Sequence, residues 1–126
     1  SFLTFVYLQV HEMTTELLSF LWALRYNKSS FVRRSVLMAL HSVVTSLPSF
    51  MLDELSSNND FNELILWAQG SVTTWLNLTS TAKELTFLLY PDVAADDPDE
   101  ECKRLAVLLL LSVSKRLTPH QIEGLR

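Results

Sequence analysis

Cys102 is the residue of this chain whose setting could make a nucleophile. It falls in the first turn of a helix that opens with Asp97-Pro98-Asp99-Glu100, where the helix dipole lowers a thiol's pKa. Asp99, Glu100 and Glu101 sit beside it and oppose that effect. His11, His41 and His120 are scattered without an i, i+4 partner of the metal-ligand kind, so no zinc site is expected. There is no Gly-rich phosphate loop, no G-x-S-x-G and no pair of carboxylates in a catalytic frame. The expectation is a protein with no catalytic, cofactor-binding or metal-binding residues, and no cofactor.

The remaining chemistry is charge. Arg33-Arg34, Lys103-Arg104 and Lys115-Arg116 are paired bases, and Asp96 to Glu101 is an acidic run broken only by Pro98. Arg33, Arg34, Lys103 and Arg104 would form a partner-binding ridge if helices stack side by side; neutralising nearby acids is the commoner use of such bases. Ser56-Ser57, with acids before and after, has the look of an acidophilic phosphorylation site, and Asn27-Lys28-Ser29 and Asn77-Leu78-Thr79 fit the glycosylation triplet. Each has a blander reading as an ordinary polar turn.

The totals bound the class. The 126 residues carry 48% hydrophobic and 19% charged residues with a net charge of −4, enough length for one core and more apolar surface than a free-standing domain needs. Acidity leaves no broad cationic face for a phosphate backbone, so direct nucleic-acid binding is not expected. One cysteine excludes an internal disulfide framework and fits a reducing compartment. The longest apolar run, Leu105 to Leu111, is far too short to span a bilayer, and no membrane partner is expected. The chain has no initiator Met and reads as the C-terminal part of a longer protein.

The elements that must position these residues are helices. Leu17 to Val44 reads as two apolar helices joined by Asn27-Lys28-Ser29-Ser30, an αα-hairpin of the kind found in helical repeats. The first runs from about Glu12 to Tyr26, acids early and bases late. Phe2 to Val10 reads as strand-like alternation or as the helix's first turns; helix is preferred. In the second helix Val32, Val36, Ala39, Leu40, Val43 and Leu47 form one stripe, with Ser30 as its cap and Leu47-Pro48 as its end. Ser49 to Leu55 suggests two short turns, and 56–60 is a loop. Asp60 and Glu63 read as a capping box for a helix with Leu64, Trp67, Ala68, Trp75 and Leu76 inside and a bend near Gly70. Thr79-Ser80-Thr81 reads as a cap for a continuation from Ala82 to Leu89, and 90–97 as a loop. Asp97 reads as the cap of a last helix, with Pro98 in its first position. That helix runs to about Leu117, apolar all round at its centre. The expected core includes Trp22, Leu24, Val32, Val36, Leu40, Trp67, Trp75 and Leu110.

An internal echo ties two of these helices together. Phe31-Val32-Arg33-Arg34-Ser35-Val36-Leu37 aligns without gaps on Glu101-Cys102-Lys103-Arg104-Leu105-Ala106-Val107 at an offset of 70. It pairs Cys102 with core-type Val32, which favours a buried structural thiol over a nucleophile. The shared opening resembles the second helix of a HEAT unit. The expected fold is all-α, a HEAT/armadillo-like α-solenoid fragment of two to three helical hairpins, with residues 1–126 as a single helical-repeat segment.

Two blocks resemble a known family. Phe20-Leu21-Trp22-Ala23-Leu24-Arg25-Tyr26, followed by Phe31-Val32-Arg33-Arg34 and its helix, is similar to the C-terminal conserved region of the telomere length regulation protein family (Tel-two type). Asp97-Pro98-Asp99-Glu100-Glu101-Cys102-Lys103, leading into a leucine-rich helix, resembles it as well, and Trp75-Leu76 resembles the family's Trp-Leu pair. The likeness covers Leu17 to Leu117 and departs between Trp75 and Asp97, where Thr79 to Ala95 reads as an insertion. It implies a non-catalytic α-solenoid scaffold that joins two other helical-repeat subunits in the TTT complex. With a heat-shock chaperone and a RuvB-like ATPase co-chaperone, that complex matures and stabilises phosphatidylinositol-kinase-related kinases (mTOR, ATM and ATR among them), in cytoplasm and nucleus. The family's phosphorylated acidic linker has no clear counterpart here. The rival reading is an unrelated HEAT-like adaptor for transport or nucleic-acid-associated assemblies.

Overall fold

The computed structural model describes residues 1–72 and 96–124. Trp75, the Thr79-Ser80-Thr81 cap, the helix from Ala82 to Leu89, the insertion 79–95 and most of the 90–97 loop lie outside the described residues. The protein is all-α: among the described residues there are six helices and no strand.

The first helix, α1, runs without a break from Phe2 to Leu24. The strand-like alternation of Phe2 to Val10 is overridden because the apolar positions also recur at three and four. Ser1 caps the start by accepting from the Thr4 amide, and the Thr14 and Thr15 hydroxyls turn back onto the carbonyls of Val10 and His11. An Asx turn follows, in which the Asn27 Oδ1 accepts from the Ser29 amide at 2.9 Å. Helix α2, Ser30–Ser46, therefore starts a residue earlier than expected. Ser29 holds the extended cap position without a side-chain bond, and Ser30 is the first helical residue rather than the cap. Leu47, extended before Pro48, ends α2 as the proline rule requires.

Ser49–Leu55 forms one helix, α3, not separate turns. Asn58 then caps α4, Asn59–Gly70, by accepting from the Phe61 amide at 2.9 Å. This corrects the reading of Asp60 as cap. Asp60 lies in the first turn, and Glu63, freed from any capping box, takes the indole N–H of Trp22. The last long helix, α5, spans Glu100–Arg116 and is capped by Asp99, whose Oδ2 accepts from the Cys102 amide at 2.9 Å. Asp97 stands two residues outside, and Pro98 precedes the cap. A final short helix, α6, covers Pro119–Gly124. Thr118 and Gln121 bond each other's backbone amides reciprocally ahead of it, a capping box the sequence reading passed over.

Helix α1 packs on α2 and α4, α4 on α5, and α5 on α2, so four helices enclose one core. Leu18, Leu37, Leu40, Phe61, Leu64 and Leu109 are wholly buried in it, each contributing about 1.5–3 kcal/mol by leaving water. Of the expected core residues, Val36, Leu40 and Leu110 are buried, while Trp22, Leu24, Val32 and Trp67 are only half-buried. The buried stripe of α2 runs through Val36, Leu37, Leu40, Val43 and Val44. It is rotated from the expected one because α5 rather than α1 is its main neighbour. In α5 the all-round burial does not hold: Ala106, Leu109, Leu110 and Val113 face inward and Leu108 and Leu111 face out.

Candidate partner-binding surface

Helices α2 and α5 lie parallel. Cys102 Sγ meets the Ser30 carbonyl, His41 Nε2 meets Ser112 Oγ at 3.0 Å, and Arg116 donates to the Val44 and Thr45 carbonyls. The partners advance together at separations of 71 and 72 residues, close to the offset of the sequence echo. Arg116 thereby satisfies carbonyls that the last turn of α2 leaves without an intrahelical donor.

The bases proposed for a partner sit at the start of this pair. Arg33 forks onto Asp97 at 2.8 and 3.1 Å, with the two side chains only 14% and 6% exposed. Its other nitrogen holds the Asn27 and Lys28 carbonyls at 2.9 Å, so one guanidinium ties the α1–α2 turn to the approach to α5. Arg34 forks onto Asp99 at 2.8 and 2.7 Å. Its hydrogen bonds hold the Asp99 carboxyl well below the usual carboxylate range, against the opposing effect of burial and with help from the Cys102 amide. The same pairing raises the Arg34 guanidinium. Lys103 and Arg104 close i, i+3 pairs with Glu100 and Glu101 on the surface of α5. Each of the four bases has an acidic partner: Arg33 and Arg34 pair from α2 to the approach and cap of α5, and Lys103 and Arg104 pair along the exposed surface of α5 itself. Parallel packing of two N-termini brings the acidic run of one helix to the bases of the other.

Asp97 also caps nothing because both of its faces are occupied. Its Oδ1 accepts from the Asp99 amide at 2.8 Å, and its own amide donates to Ser71 at the end of α4 at 2.9 Å. Cys102 is buried beneath this network. Desolvation, then the Asp99 contact, pushes its thiol up to about 12, which leaves it protonated and inert as a nucleophile near neutral pH.

A groove of about 790 Å³ opens where the α1–α2 turn, the end of α4 and residues 96–98 converge. Arg25 lies in it between the rings of Trp22 and Tyr26, at 4.1 and 4.4 Å from their centroids. Three bases and three acids line it, so it carries no net charge preference. Among the described residues no cluster of three or more His, Cys, Asp or Glu could hold a metal ion, and no helix is long and apolar enough to cross a membrane.

What the sequence reading missed is on α1. Phe2, Leu3, Phe5, Met13 and Phe20 stand mostly in solvent. Their spacing was legible, but an apolar helix gives no sign of which of its faces the core will take.

No family model matches the chain, and no solved structure matches it. The telomere length regulation protein TEL2 homolog of Homo sapiens is 36% identical over 110 residues, which is 85% of this chain and 10% of that protein. The telomere length regulation protein TEL2 homolog of Mus musculus is 34% identical over 103 residues, 82% of this chain and 10% of that protein. The chain thus spans about 10% of the length of the curated relatives it matches. Over this partial region, the chain is related to the telomere length regulation protein family.

Proposed function

We propose that this chain is a non-catalytic scaffold segment of a telomere length regulation subunit, built as part of a HEAT-like α-solenoid. The observation that carries the reading is the parallel packing of α2 and α5 in nearly the register of their sequence echo. Equivalent helices of successive repeats stack in that way, each covering the next one's apolar face. The relationship to the TEL2 homologs supports the assignment to such a subunit. On this reading the segment works in the TTT complex with two other helical-repeat subunits, a heat-shock chaperone and a RuvB-like ATPase co-chaperone. It helps to mature and stabilise phosphatidylinositol-kinase-related kinases such as mTOR, ATM and ATR, in cytoplasm and nucleus. Its mechanism is surface complementarity, with no bond made or broken.

The test is affinity purification from cells of a full-length protein carrying this segment, with and without residues 17–117, read by mass spectrometry. Recovery of the TTT subunits and the large kinases, lost on deletion, is the expected result. Recovery of transport factors or nucleic-acid proteins in their place would overturn the assignment.

A further inference from the structure

Helix α1 carries a second apolar seam beside the face that meets the core. Leu3, Val10 and Leu17 recur every seven residues, as do Val6, Met13 and Phe20, the a and d positions of a heptad seam. The core takes Leu18 and Leu21, so most of this seam is left outside: Leu3 is 77%, Met13 66% and Phe20 63% exposed, Val6 and Leu17 39% and 38%, and only Val10 is partly buried. A run of large apolar side chains at coiled-coil spacing is out of proportion to the single exposed hydrophobics that any surface carries.

The charge around the seam says what kind of helix fits it. Glu12 and Glu16 follow each other by one turn along its outer rim, and both are exposed. Helix α3 is held to α1 by Tyr7 and His11 through Glu54, and its Asp53 accepts from Gln121, so those two acids are already engaged. No Lys or Arg occurs from Ser1 to Leu24 or from Ser35 to Ala82, and His11 already faces Glu54 at 3.3 Å. The bases of the described fold are gathered in the α1–α2 turn and on α2 and α5. A second copy of α1 would bring its own Glu12 and Glu16 and no base to meet them. A helix with Lys or Arg beside its apolar seam supplies both halves of the fit.

We propose that the Leu3–Phe20 seam of α1 is a docking site for an amphipathic helix of a partner protein whose apolar stripe is flanked by Lys and Arg. The proposal deepens the scaffold reading and rests on it by naming the surface through which the scaffold holds a partner. It places the partner on an acid-rimmed apolar face.

The test uses the whole chain and two fluorescein-labelled helical peptides about three heptads long with Leu at a and d, one with Lys and the other with Glu at e and g. Fluorescence anisotropy should show the Lys-flanked peptide binding at least about tenfold tighter than the Glu-flanked one, with the preference shrinking as salt rises. Met13→Gln with Phe20→Gln should abolish binding while circular dichroism stays native. Glu12→Lys with Glu16→Lys, at exposed positions that do not enter the core, should invert the preference. Equal affinity for the two peptides, or binding indifferent to the Met13 and Phe20 changes, would overturn the proposal. So would sedimentation showing a dimer of the chain that the Met13 and Phe20 changes dissociate, because the seam would then belong to a second copy. No kinase or chaperone enters this measurement, so it can fail while the cellular assignment stands, and the reverse.

Discussion

Arg34 holds both carboxylate oxygens of Asp99 at 2.7 and 2.8 Å while the same carboxylate caps α5 through the Cys102 amide. One side chain therefore fixes where α5 begins and how it lies against α2. Because Asp99 is held below its ordinary pKa in the folded state, its contribution is complete above the unfolded value near 4. It is lost as pH falls toward the folded value. Thermal unfolding followed by circular dichroism should show the melting temperature dropping steeply below about pH 4. Arg34→Met should lower stability at neutral pH and flatten that acid limb. An unchanged limb would place the acid sensitivity at other carboxylates.

Asp97 and Arg33 form the more enclosed pair. Asp97→Ala leaves a guanidinium at 14% exposure without its carboxylate and should cost roughly 3 kcal/mol in urea unfolding, the range for breaking a buried pair. Arg33 keeps the Asn27 and Lys28 carbonyls, so the loss should not reach the upper end. A cost under about 1 kcal/mol would be that of a simple helix cap and would refute the tie.

The start of α4 separates two neighbouring residues. Asn58→Ala removes the side-chain acceptor for the Phe61 amide and should cost about 1 kcal/mol. Asp60→Ala should cost only a few tenths, as a first-turn acid near the dipole does. The reverse order in equilibrium denaturation would return the cap to Asp60.

Burial ranks Leu40 above Trp22. Leu40 is wholly enclosed, and Leu40→Ala should cost about 2–5 kcal/mol. Trp22 keeps part of its ring in solvent and gives its N–H to Glu63, so Trp22→Ala should cost about 2 kcal/mol, below the range for a buried tryptophan. Equal costs would show the indole to be packed more deeply than its exposure indicates.

The Cys102 thiol, buried and pushed up to about 12, should resist a disulfide-exchange reagent in the native protein near neutral pH. It should react fully in denaturant. Rapid native labelling would mean that the start of α5 opens readily.

Helices were legible because their signals are local. Apolar residues at three and four, a proline after Leu47 and acids before the last helix all act within one turn. The cap positions were each misplaced by one or two residues, at Ser30, Asp60 and Asp97, for a shared reason. Every one of these helices is preceded by several residues able to cap, and competing contacts, one tertiary and two local, chose among them. Arg33 took Asp97, Asn58 reached the Phe61 amide first, and the Asn27 turn brought Ser29 into place. The four bases were visible in the sequence, as were the local partners of Lys103 and Arg104 three residues away, but the pairing of Arg33 with Asp97 and of Arg34 with Asp99 was not, because those ion pairs join residues more than sixty apart.

The sequence by itself determined that the chain is helical, where Pro48 divides it, and that two of its helices echo each other. Period and propensity are properties of neighbouring residues and need no third dimension. Only the tertiary structure decided which apolar face went inside. The core could take one side of α1, and when Leu18 and Leu21 turned toward α2 and α4, Leu3, Met13 and Phe20 were left facing water.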